Sequence, residues 1–147
     1  MNTPKIEYKG NFTADTTLLQ NFSATKVELS RFSGTDGDIV ALINTDANWD
    51  NNFLVMRIPV THQTSGELDV SLEQDPNTIK VHFNRMIDGE YRRDFANSGK
   101  IRFEYDQQRD TISGTGYFNV TTQDKNHEHP NESYAFENIV FSIKPAN

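Results

Sequence analysis

Two histidines one residue apart, in the segment Asp124-Lys-Asn-His127-Glu-His129-Pro-Asn-Glu132, come nearer to recognisable chemistry than any other residues of the chain. If the segment is extended, His127 and His129 project to the same side. Two imidazole nitrogens can then approach one ion, with Glu132 or Glu128 completing a nitrogen and oxygen set suited to zinc or a similar metal. The other histidines, His62 and His82, lie on separate segments and would have to converge through the fold. The same letters also describe a polar loop whose surface imidazoles titrate near neutral pH.

A second oxygen-rich segment, Asp46-Ala-Asn48-Trp49-Asp50-Asn-Asn52, opens with the spacing of a calcium loop. It departs from the EF-hand pattern where that pattern needs glycine and a bidentate glutamate, since Asn51 and Arg57 stand there. A turn whose Asn and Asp side chains bond nearby backbone accounts for the segment equally well. Trp49, the one tryptophan, either folds over the core or stands out as an interface anchor.

The third candidate is a gap. Gly114 and Gly116 share a parity with Ile112, Phe118 and Val120, so both fall on the expected inward face of a strand. The space they leave can be filled by Phe103 or Phe136, removed by a bend, or occupied by a ligand. The expected ligand-binding set is therefore Gly114, Gly116, Phe103 and Trp49, and the expected metal set is His127, His129 and Glu132. No G-x-S-x-G, P-loop or H-E-x-x-H occurs, and acidic residues are scattered over polar positions, so no catalytic set and no cofactor are expected.

The elements that must carry these residues read as strands. Ile101, Phe103 and Tyr105 alternate with Lys100, Arg102 and Glu104, and after Gln107-Gln-Arg-Asp110 the alternation resumes, which predicts a hairpin over 99–120. Asp88-Gly89 signals a tight two-residue hairpin. Ile6, Tyr8 and Phe12 predict a first strand with a bulge at Gly10. Leu18, Leu19 and Phe22 suggest a helical turn within 14–24, and Val27, Leu29 and Phe32 a strand over 26–32 with a bulge near Ser30 or simply its end there. Ile39–Ile43 and Phe53–Met56 are apolar on both parities, which predicts strands covered on both faces at the centre of the fold. Strands are also expected at 68–72, 79–83 and 134–143, the last with a bulge near Asn138, where the parity changes. The pattern predicts a single all-β domain, an antiparallel β-sandwich of about nine or ten strands, with a flattened, calycin-like up-and-down barrel as the alternative.

The 147 residues include no cysteine, which excludes disulfides, thiolate zinc sites and a cysteine nucleophile. A net charge of -7 argues against nucleic acid, and no segment is long and apolar enough to span a membrane. The charge is uneven: eight acids lie between Gly34 and Ile79 against Arg57 alone, whereas 80–102 carries an excess of basic residues.

The hairpin segments Gly-Lys-Ile-Arg-Phe-Glu-Tyr-Asp and Thr-Ile-Ser-Gly-Thr-Gly-Tyr-Phe, within 99–118, resemble a hairpin common in small secreted or lipoprotein β domains of bacteria whose function is unknown. Gly116 stands where that pattern usually has an aromatic, and the lipobox cysteine is missing. The chain as given reads as soluble, and the resemblance implies an extracytoplasmic β domain, if a signal segment was removed, and carries no catalytic residues. Three functions are open at this stage. The preferred one is a non-catalytic domain that binds a protein, a glycan or a small hydrophobic ligand through loops or a sheet face. The others are a metal-binding protein or metal-dependent enzyme using His127 and His129, and an acidic inhibitor or immunity-type protein directed at a basic partner.

Overall fold

The computed structural model describes residues 6–18, 21–33, 39–46, 52–61, 63–122 and 132–146. Among them the backbone forms ten strands and no helix: β1 (Tyr8–Thr16), β2 (Phe22–Ala24), β3 (Lys26–Ser33), β4 (Ile39–Asp46), β5 (Phe53–Pro59), β6 (Ser65–Asp69), β7 (Lys80–Ile87), β8 (Glu90–Asp106), β9 (Thr111–Thr121) and β10 (Ser133–Pro145). Among the described residues of 14–24 the expected helical turn is not formed. β1 runs on through Thr16, and β2 pairs back onto it with Phe12 opposite Ala24 and Ala14 opposite Phe22. All four of those side chains are buried, an outcome that period-two pairing allows and a helical spacing does not.

The strands pair antiparallel in the order β2-β1-β10-β9-β8-β7-β5-β4-β3, with β6 added beside β8. Two corners bend this sheet round on itself. At Thr25 the chain passes from β2, paired with β1, to β3, paired with β4. Along β8, Glu90–Phe95 pair with β7, a bulge interrupts the β9 register between Ala96 and Ser98, and Lys100–Glu104 pair with β6. Gly99 sits at this second corner with φ 145, so close to β9 that a Cβ would lie 2.3 Å from the Tyr117 carbonyl oxygen. With both corners turned, β1 and β3 meet and the sheet is nearly closed into a flattened barrel.

Local turn chemistry fixes the rest. Asp88 and Gly89 both take positive φ (52 and 82), the geometry that joins β7 to β8 in the tightest hairpin. The expected irregularity near Asn138 is present as a register shift between Phe136 and Ile139, with Asn138 at φ 52. Of the other two expected bulges, the one in β1 is displaced and the one in β3 is absent. β1 pairs continuously through Gly10 and shifts only between Thr13 and Asp15, while β3 pairs without interruption from Lys26 to Ser33. Gly10 serves close approach instead: a Cβ there would lie 1.9 Å from the Ser142 carbonyl oxygen.

The ten phenylalanines divide sharply between the two sides of the sheet. Seven of them (Phe12, Phe22, Phe83, Phe103, Phe118, Phe136 and Phe141) are fully buried in the interior. Phe118 stacks on Phe136 with centroids 4.7 Å apart, and Phe83 meets Phe136 edge-on at 5.1 Å. The remaining three, Phe32, Phe53 and Phe95, point outward from β3, β5 and the first half of β8. The strands expected to be covered on both faces are covered fully on one. Ala41, Ile43, Leu54 and Met56 are sealed inside; on the outer face Val55 is buried as well, whereas Val40, Leu42 and Phe53 are only half-buried.

Candidate functional site

The glycine gap is closed. The position where Gly114 would carry a Cβ lies 2.4 Å from Cζ of Phe141 and 2.5 Å from the carbonyl oxygen of Arg102, so the ring opposite Gly114 on β10 takes the space. Phe103, its neighbour across β8, is buried in the core. Gly116 instead borders a shallow outer depression of about 650 Å³, shared with Tyr117, Asn119, Asn138 and Val140. Trp49, His127 and His129 lie outside the described residues, as do Asp36, Asp38 and Asp50. Glu132 is described, and its carboxylate is held by Arg85 at 3.1 Å. Among the described residues no group of three or more histidine or acidic side chains is placed to hold a metal ion.

Two arrangements that the sequence did not single out are assembled by β7 and β8. The first lies inside one end of the barrel. Phe83 and Arg85 on β7 and Asp94 and Arg92 on β8 share the inward parity, because the hairpin sets Phe83 opposite Asp94 and Arg85 opposite Arg92. The Asp94 side chain is 2% exposed. Its Oδ1 accepts from Arg92 Nε at 2.9 Å, and its Oδ2 accepts from Arg85 Nε at 2.9 Å and from the Tyr134 hydroxyl at 2.6 Å. Arg85 also lies over the Tyr134 ring, 5.0 Å from its centroid. Burial, together with the hydrogen bond to Asp94, pushes the Tyr134 hydroxyl far above the usual tyrosine range. Burial alone would lower Arg85, but Asp94, Tyr134 and Glu132 outweigh it and hold the guanidinium above its ordinary value.

The second arrangement is the outer face of β5, β7 and β8. Val55, His82 and Phe95 lie in one cross-strand row, with Phe53, Asn84 and Arg93 in the next. Asn84 is buried and uses both ends of its amide: Oδ1 accepts from Arg93 Nε at 3.2 Å, and Nδ2 donates to Nδ1 of His82 at 2.8 Å. That donation leaves the imidazole proton on Nε2 and favours the neutral ring. Burial, and then the nearby charges of Arg93 and Arg57, lower the His82 pKa below its ordinary value. Around this polar centre Tyr91 is 59% and Phe95 50% exposed, and Phe32 stands outward with the Arg57 guanidinium 5.2 Å from its ring centroid.

The cationic rim of this face could have been anticipated, since 80–102 is the basic part of an acidic chain. The aromatic component was signalled by Phe32, which falls on the opposite parity to Val27 and Leu29. Comparison with protein-family models, with curated proteins and with solved structures finds no match to the chain.

Proposed function

We propose that this chain is a non-catalytic binding domain, and that it engages a protein partner bearing acidic and apolar side chains through the outer face of β5, β7 and β8. The observation that carries this reading is the division of the phenylalanines. The interior is filled by aromatic rings, leaving the glycine gap no room for a ligand, while Phe32, Phe53 and Phe95 are placed outside with Tyr91. Aromatic side chains ringed by arginine are the composition that dominates protein interface energies. Arg57 and Arg93 share the face, so an acidic partner is attracted, whereas a second copy presenting the same face would be repelled.

The test uses a short peptide that alternates Glu with Leu, and its counterpart with Lys in place of Glu, each titrated into the isotope-labelled full chain. The expected result is saturable shifts at Arg57, Tyr91, Arg93 and Phe95 with the Glu peptide alone, and an affinity at least about tenfold weaker in an Arg57→Glu, Arg93→Glu double variant. Equal binding of both peptides, or shifts confined to other surfaces, overturns the proposal.

A further inference from the structure

A guanidinium group has five N–H donors, and removing them from water without acceptors is costly. The cluster at the barrel end leaves such a group half satisfied. Arg92 spends Nε on Asp94, yet its Nη1 and Nη2 each expose less than 1 Å² and have no hydrogen-bond partner among the described residues. The neighbouring acids are already engaged. Asp94 accepts from three donors across its two oxygens, and Glu132 is turned to the far end of Arg85. Among the described residues two guanidinium groups thus share the one enclosed carboxylate, that of Asp94, and the unused fork of Arg92 is the part left over.

We propose that the Nη fork of Arg92 is the recognition element of a binding site for a small oxyanion, of carboxylate or phosphate type, inside this end of the barrel. The fork presents two parallel N–H groups, the geometry that accepts a planar carboxylate or two phosphate oxygens in a bidentate pair. The bond from Arg92 Nε to Asp94 fixes the plane of the guanidinium before any anion arrives, which lowers the ordering cost of binding. The site is independent of the outer face of β5, β7 and β8, since Arg92 and Asp94 point to the opposite side of β8 from Tyr91, Arg93 and Phe95.

The test is a titration of the full chain with inorganic phosphate and, separately, with acetate. Ionic strength is held constant with chloride while the arginine side-chain nitrogen resonances are followed. The expected result is a saturable shift of the Arg92 Nε and Nη signals with at least one of the two anions, and the anion that saturates first identifies the ligand class. Arg92→Lys, which keeps the charge and loses the fork, is expected to weaken binding by roughly tenfold or more. Arg102→Gln, which removes an exposed arginine from the same strand, leaves it unchanged. Arg92 signals that move with neither anion overturn the proposal, and because that measurement is made on the unaltered chain it does not depend on a variant folding. An Arg92→Lys protein that is folded by circular dichroism and binds as tightly as the parent overturns it as well.

Discussion

Tyr134 on β10 donates its hydroxyl to Oδ2 of Asp94 on β8 at 2.6 Å, joining strands separated by 40 positions in the sequence. Among the described residues Asp94 is the single enclosed acid between Arg85 and Arg92, so its removal strands two cations inside the barrel. Asp94→Ala is expected to destabilise the fold by about 3–5 kcal/mol, the cost of breaking a buried ionic cluster from one side. Tyr134→Phe is expected to cost about 1.5–3 kcal/mol, as a hydrogen bond to a charged group is lost while both arginine contacts remain. The two effects will not add, because the tyrosine bond exists only while the carboxylate does. Urea denaturation of the two single variants and the double variant measures all three quantities.

His82 makes stability depend on pH with a defined sign. Its folded pKa lies below the ordinary histidine value of 6.5, so as the pH falls through that value the unfolded chain takes up the proton first. The neutral ring therefore contributes stability that is present above pH 6.5 and is lost progressively below it, levelling off once the folded pKa is passed. A His82→Gln variant is expected to lack this component. The difference in unfolding free energy between parent and variant, measured from neutral to mildly acidic pH, should shrink as the pH drops. A difference that stays constant shows that burial and the Arg93 and Arg57 charges do not bias the ring.

Gly114 and Gly89 separate two reasons for a glycine. At Gly114 the obstacle is contact, since a Cβ would meet the Phe141 ring and the Arg102 carbonyl oxygen. At Gly89 nothing lies within 4 Å, and the obstacle is the backbone, at φ +82. Gly114→Ala is expected to cost about 1–3 kcal/mol or more through overpacking, and Gly89→Ala about 1–2 kcal/mol through the left-handed dihedral alone. Phe141→Leu should relieve the first in part, since the carbonyl oxygen stays, and should leave the second untouched. Thermal denaturation of the singles and of both pairs gives the comparison.

Period-two alternation was enough to place most of the strands, and Asp88-Gly89 and the parity change at Asn138 marked real turns and irregularities. Register was not legible, and the site depends on register. Phe103 and Phe136 were the sequence's candidates to fill the space at Gly114, yet it is Phe141 that does so. The bulge between Phe136 and Ile139 sets Phe141 opposite Gly114, and a parity pattern cannot give the size of such a shift. Arg92 and Asp94 share the sequence parity of the exposed Lys100 and Arg102, and only the bulge between Ala96 and Ser98 turns them inward, which the alternation does not reveal. Their partner Tyr134 arrives from β10, so the pairing that makes them tolerable inside the barrel has no local signature. Phe32, on the parity opposite to Val27 and Leu29, read as a bulge near Ser30 or as the end of the strand; the ladder with β4 is regular to Ser33, where β3 ends, and the ring stays outside over Arg57.

At the opposite end of the barrel Tyr8, at the start of β1, donates to Oδ2 of Asp110 at 2.5 Å and so ties the first strand to the turn between β8 and β9. Burial, with the bond to Asp110 adding to it, pushes the Tyr8 hydroxyl up from 10.0 to about 12. The unfolded chain therefore loses this proton first as the pH rises. The stabilisation is complete below pH 10 and declines as the pH climbs from 10 toward 12. Tyr8→Phe removes both the bond and the ionisation. It is expected to lower stability at neutral pH by about 1 kcal/mol, the typical net worth of a part-buried hydrogen bond. Over the alkaline range the variant should lose stability less steeply than the parent, so that the gap between them narrows. Parallel urea titrations at neutral pH and across that range provide the measurement, and a gap that widens with pH would show that the Tyr8 phenolate, once formed, is better accommodated in the folded chain than in the unfolded one.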